Sequence, residues 1–173
     1  FGEQQILILG RIIPFKGHRY LIESLPVVKK QFPNFKLIIA GHGDENLIAE
    51  LHLKIIELGL ADNVIFVGYQ SNIYDYLQNS DMLVVPSIAE GFGLIFLEAL
   101  NAKTPIIGFD VAATNEIIIN NQNGILVPLF DCDKLGLAIV NLLQDKEKAN
   151  RLADAGYVRL KTNFSLNRMV NET

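Results

Sequence analysis

The sequence lacks a second cysteine: Cys132 stands alone among 173 residues, so no internal disulfide can form and a reducing compartment is the simpler expectation. It lacks a basic excess. With a formal charge of -4 it does not carry the footprint of a nucleic-acid surface, and any anion site has to be local. No apolar run approaches the ~18–20 residues that span a bilayer, and no signal peptide is visible. There is no P-loop, because the spacing of glycine and lysine does not match. His18 and His52 have no partner at catalytic or metal spacing, and no metal site is expected. There is no initiating Met either. The chain opens at FGEQQILILG, almost in a strand, and ends at FSLNRMVNET in mid-element, which reads as a piece of a longer protein.

What is present is globular. Half the residues are hydrophobic and 20% are charged, enough for one domain, residues 1–173, with a real core. Short apolar runs recur: ILILG (6–10), KLIIAG (36–41), NVIFVG (63–68), MLVVP (82–86), PIIGFD (105–110) and GILVP (124–128). They do not alternate polar with apolar, so they read as strands buried on both faces of a parallel sheet. Helical stripes fill the gaps: 18–32, 45–58 with Gly59 as its cap, 72–79, 94–102, 116–120, 133–143 and 146–161. Pro26 falls inside the first and should kink it or mark its weak point. Six strands alternating with helices predict an α/β fold: a doubly wound, Rossmann-like six-stranded parallel sheet with helices on both faces.

In such a sheet ligands bind beyond the carboxyl ends of the strands, so the loops after residues 10, 41, 68, 86, 110 and 128 are the places to look. The first, GRIIPFKGHRYL, holds Arg11 and Lys16 beside a helix start; they are either an anion site or two solvated surface cations. In AGHGDEN, Gly41 and Gly43 read as a tight strand-to-helix turn with Asp44 capping, since the third glycine of a dinucleotide fingerprint is missing; His42 is read the same way. Gly68 and Tyr69 end the third strand, where a base could sit against backbone. Tyr74 and Tyr76 read as packing residues.

The fourth loop, PSIAEGFGLIFLEAL, carries the most chemistry. Gly91 and Gly93 let a ligand approach the backbone, and the N–H groups of Phe92, Gly93 and Leu94 open at a helix mouth. Glu98 lies one turn in, on a helix whose side chains lean back toward that mouth, and Glu90 precedes the turn. Carboxylates that only accept hydrogen bonds suit the hydroxyls of a sugar or ribose. A glycosidase acid/base pair fits poorly, because nothing builds the two flanking faces that reaction needs. Glu116 is expected in the first turn of its helix, as a macrodipole partner, and Cys132 is a small filler at a helix start.

The order GR-x3-FKG, AGHGDE, NVIFVG, PS-x2-EGFGL-x3-EAL, PIIGFD and NEII-x4-NGILVP resembles the nucleotide-binding C-terminal half of retaining GT-B glycosyltransferases, more narrowly family 4. The resemblance implies that Arg11 and Lys16 grip the donor diphosphate and that Glu90 lies near the donor-sugar hydroxyls. By the same resemblance Gly91, Phe92, Gly93 and Leu94 form the turn that contacts sugar and phosphate, Glu98 bonds the ribose, and Gly68 and Tyr69 hold the base. Arg11, Lys16 and Glu90 would be the catalytic set. The activity implied is hexosyl transfer from a UDP- or GDP-sugar with retention of configuration, without metal or other cofactor, in a cytoplasmic enzyme, with peripheral attachment of the full-length protein to the inner face of the membrane left open. Two departures stand out. Ala112 and Ala113 replace the family's paired glycines, and the N-terminal acceptor domain is absent, so this chain alone should bind donor but hardly catalyse transfer. The segment after Phe164 would cross back to that domain. Competing readings are a nucleotide-sugar epimerase of similar architecture, a receiver-like signalling module, disfavoured by the basic first loop, and an NAD-binding domain, disfavoured by the missing fingerprint.

Overall fold

The structure, a computed structural model, describes residues 4–89 and 93–164. Six strands form one all-parallel sheet: β1 (Gln5–Leu9), β2 (Lys36–Ala40), β3 (Val64–Gly68), β4 (Met82–Val85), β5 (Ile106–Phe109) and β6 (Ile125–Val127), in the order β3-β2-β1-β4-β5-β6. The helices are α1 (His18–Gln31), α2 (Glu45–Glu57), α3 (Ile73–Gln78), α4 (Leu94–Ala102), α5 (Ala112–Ile117), α6 (Cys132–Gln144) and α7 (Lys146–Asn163). A single 3-10 turn, Pro14–Lys16, precedes α1.

Two apolar layers sandwich the sheet, one on each face. Ile6 and Ile8 point to the layer built with Leu21, Leu25 and Leu135 from α1 and α6. Leu7, Leu83 and Val85 point to the other, with Phe96 and Leu100 of α4 and Leu77 of α3. This is why the central strands read as continuous apolar runs: successive residues alternate faces, and both faces are covered. The last helix serves both layers, contributing Ala149 and Leu152 to the first and Leu160 to the second.

The expectation of strands buried on both faces fails at the edge. β3 has a neighbour on one side only and incomplete helical cover, so Ile65 is left 43% exposed. Pro26 does not break α1. It lacks the N–H that would bond to Ile22, yet the helix continues to Gln31, held by the buried stripe Leu21, Ile22, Leu25 and Val28. α2 ends as read: Gly59 N–H bonds Ile56 O at 3.0 Å and Leu60 N–H bonds Ile55 O at 2.8 Å, a Schellman pattern.

The fifth helix is a correction. It runs Ala112–Ile117 rather than 116–120, with extended Val111 at its N-cap. Alanine favours helix, so the two alanines that stand where paired glycines were expected start the helix instead of forming a loop. Glu116 therefore lies in the last turn, and the macrodipole account of it is wrong: a carboxylate at that end meets the negative pole. The end is satisfied from α7, where Arg159 donates to Ile117 O at 2.8 Å and to Glu116 O at 2.9 Å. Tyr76 packs into the second layer as expected, but Tyr74 is 40% exposed and packs little. The segment after Phe164 lies outside the described residues.

Candidate functional site

The chain reverses direction across the sheet between β1 and β4: β1 leads outward through β2 to β3, whereas β4 leads the other way through β5 to β6. Loops leaving β1 and β4 must diverge there, and a crevice opens beyond their carboxyl ends. The structure has a cavity of about 540 Å³ at this point, within the range of small-molecule sites, ~300–1,000 Å³.

Four segments wall it. The β1 end gives Leu9, Gly10 and Arg11, with Lys16 from the 3-10 turn. The β2 end gives Ala40, Gly41 and His42; the segment after β3 gives Tyr69, Gln70 and Ile73. The last wall is the start of α4, with Gly93, Leu94, Ile95 and Glu98. Thus Arg11, Lys16, Tyr69, Gly93, Leu94 and Glu98, all picked from sequence, come together. Gly68 does not line the cavity; its carbonyl accepts Gly41 N–H at 2.8 Å and so holds the turn from behind. Glu90, Gly91 and Phe92 lie outside the described residues. Ala112 and Ala113 are not in the wall.

Main-chain ties hold the loops in register. Ile88 N–H bonds Phe15 O at 2.9 Å, binding the β4–α4 loop to the turn that carries Lys16. On the other side Ile12 N–H bonds His42 O and Asp44 N–H bonds Ile12 O, both at 3.0 Å. The Gly41–Gly43 segment is the tight turn read from sequence, and glycine is required there. A Cβ on Gly41 would fall 1.9 Å from Gly10 O, and one on Gly43 2.0 Å from Ile12 O. Asp44 caps α2 as expected, accepting Leu47 N–H at 2.9 Å.

α4 starts differently. Its N-cap is Gly93, in the left-handed region at φ 65°, and among the described residues no side chain caps its first turn. A Cβ at Gly93 would lie 2.8 Å from the Phe96 ring, so backbone sits where a side chain cannot. Among the described residues no carboxylate caps the N-terminus of α4, which meets the cavity. Glu98 is on the wall one turn further along, and partial burial pushes its carboxyl above the ordinary value.

Two residues after Lys16, His18 opens α1. It is 2% exposed, neither ring nitrogen has a hydrogen-bond partner, and its pKa is lowered to about 4, first by burial and then by the charge of Lys16. Cys132 is half-buried at the start of α6, as expected of a filler. Among the described residues no three His, Cys, Asp or Glu side chains group as metal ligands, and no helix is long and apolar enough to cross a membrane.

The sequence reading missed the apolar floor, Leu9, Ala40, Ile73 and Ile95, and did not count His42 as a wall. A usable signal existed for Leu9, Ala40 and His42, each at the carboxyl end of a strand whose following loop had already been marked.

Comparison with known proteins agrees with this geometry. An uncharacterized glycosyltransferase of Methanocaldococcus jannaschii is 34% identical over 146 residues, which is 83% of this chain and 36% of that protein. The lipopolysaccharide core biosynthesis mannosyltransferase LpsB of Rhizobium meliloti is 28% identical over 162 residues, 91% of this chain and 46% of that one. The crystal structure of the C-terminal domain of a glycosyl transferase group 1 family protein (LpcC) from Francisella tularensis superposes with a TM-score of 0.86 at 29% identity, covering 94% of this chain and 87% of that one. The chain spans less than half the length of these two curated relatives. Residues 2–159 match the family "Glycosyl transferases group 1", and the chain belongs to that family.

Proposed function

We propose that the cavity binds a nucleoside-diphosphate sugar and that the whole protein transfers the sugar to an acceptor. The observation that carries this reading is the meeting of cations, an aromatic ring and an uncapped helix start around one cavity: Arg11 and Lys16, Tyr69, and Gly93 to Glu98. A diphosphate matches the first and last of these. Its charge is met by two cationic side chains and by the free N–H groups and positive dipole end of α4. A nucleobase matches Tyr69, and ribose hydroxyls match the acceptor oxygens of Glu98. Glu90 is proposed to face the sugar hydroxyls, and Gly91, Phe92 and Leu94 to offer backbone to sugar and phosphate, with Gly68 supporting the base turn.

The chemistry follows from charge. When the glycosidic bond to the diphosphate breaks, negative charge grows on the leaving oxygen, and groups already aimed there stabilise it without reorganising. Arg11, Lys16 and the α4 start are such groups, so metal-independent transfer is the form we propose, with retention of configuration and a UDP- or GDP-hexose as donor. The acceptor site is placed outside this chain, which alone would bind donor without transferring it. That the relatives named above are transferases favours this reading over an epimerase.

The test is thermal melting of the chain against UDP, GDP, ADP and NAD, repeated with Lys16→Ala. A ligand at 100 times its dissociation constant should stabilise by ~2.7 kcal/mol, which is a rise of about 2–4 °C per kcal/mol for a domain of this size. The rise should shrink in the lysine variant. A shift with NAD alone would overturn the assignment, and equal shifts in both proteins would remove Lys16 from the phosphate site.

A further inference from the structure

Resting on the reading of the cavity as a nucleoside-diphosphate site, we propose that His42 is a positioning residue that holds Tyr69 in the orientation that stacks on the nucleobase. Tyr69 is 70% exposed. A ring that open has little to hold it, and fixing it on binding costs affinity. The contact that braces it is His42, whose ring centroid lies 5.8 Å from that of Tyr69 at an interplanar angle of 58°. That separation falls within the ~4.5–7 Å range of attractive aromatic contacts.

The pair cannot act as a sandwich. A base inserted between two rings needs a gap of about 7 Å, twice a carbon–carbon contact distance, and the rings stand closer than that. One ring therefore presents its face to the ligand while the other supports it. His42 is suited to the supporting part because its backbone is fixed from both sides: its carbonyl takes the Ile12 N–H at 3.0 Å, and the preceding Gly41 N–H is bonded to Gly68 O at 2.8 Å. That last bond joins the residues just before His42 and Tyr69, so main chain sets the two side chains next to each other. Both then line the same cavity, at the β2 and β3 ends, with β1 between them and the strand that leads to Gly93.

Every base has a π-face, so such a platform recognises that a planar base is present more than which base it is. The ligand class served is a nucleoside diphosphate, as opposed to bare pyrophosphate. The experiment is calorimetric titration of UDP, GDP and inorganic pyrophosphate into wild type, His42→Ala, His42→Phe, Tyr69→Ala and the double alanine variant. His42→Ala should bind both nucleotides roughly three- to tenfold more weakly and pyrophosphate as wild type does. His42→Phe should restore nucleotide binding, and the double variant should be no worse than Tyr69→Ala. Unchanged nucleotide binding in His42→Ala, an equal loss for pyrophosphate, or additive losses in the double variant would overturn the bracing role alone. Wild type binding no nucleoside diphosphate would instead overturn the functional reading and this inference together.

Discussion

α2, α6 and α7 begin on Asp44, Asp131 and Asp145, each accepting a hydrogen bond from the backbone N–H three residues on, and each has an acidic residue in its first turn. α1 and α4 begin on Gly17 and Gly93, both left-handed, with no side-chain cap and no acid in the first turn. The first set closes its positive end with its own carboxylates; in the second no described residue supplies one. Lys16 and the α4 start both border the cavity, whereas the short α5, which also starts without a carboxylate, does not, so open helix starts mark the site without being confined to it. A fold that needed only stability would gain by capping every helix, since each cap contributes about 1 kcal/mol.

The largest expected effect tests the α1 start. His18 is neutral and buried, with a folded pKa near 4 against an ordinary 6.5. Between those values the unfolded chain binds the proton and the folded chain does not, so stability falls as pH drops from 6.5 toward 4. The loss approaches ~3 kcal/mol, taking ~1.4 kcal/mol per pH interval. Denaturant titrations at pH 7, 5.5 and 4.5 should show it, and His18→Leu should flatten the dependence; an unchanged slope would remove His18 as its source.

Closing the α4 start comes next. Leu94→Asp would put a carboxylate in the first turn of α4, as the capped set has, at a residue that is 63% exposed, while Leu94→Asn has the same shape without the charge. Aspartate should bind nucleoside diphosphate about tenfold more weakly than asparagine, following a dipole and charge effect of ~1–2 kcal/mol. Equal binding by calorimetry would break the contrast between open and closed helix starts. Opening a capped helix should do the reverse: Asp44→Ala should cost ~1 kcal/mol of stability while leaving nucleotide affinity as it was. The smallest effect is at Glu98. Its raised pKa means that the folded state favours the protonated form, so at neutral pH the ionised carboxylate slightly opposes folding. Glu98→Gln should therefore melt slightly higher while binding nucleoside more weakly than pyrophosphate is bound; a lower melting point would contradict the partial burial of that carboxylate.

Much of this was readable along the chain. MLVV and IIGF are buried at every position, and unbroken apolar runs of that length have few other homes than the middle of a parallel sheet. Asp44 announced its cap, and Gly93 lines the cavity beyond the strand whose following loop was marked. α5 was misplaced because Ala112 and Ala113 were read as stand-ins for loop glycines, when their own propensity begins the helix. The exposure of Ile65 escaped because VIFVG is as apolar as a central strand and nothing local marks an edge.

By itself the sequence determined the alternation of strands and helices, the tight turn at Gly41 and Gly43 and the cap at Asp44. These depend on residues near one another in the chain, through periodicity, capping bonds and backbone sterics. Only the tertiary structure decided that His18 is buried without a partner, that His42 leans on Tyr69, and that Lys16 and Glu98 share a cavity. Those relations join residues from different strand ends, and their spacing is set by strand order and by main-chain bonds between loops, which no local pattern encodes.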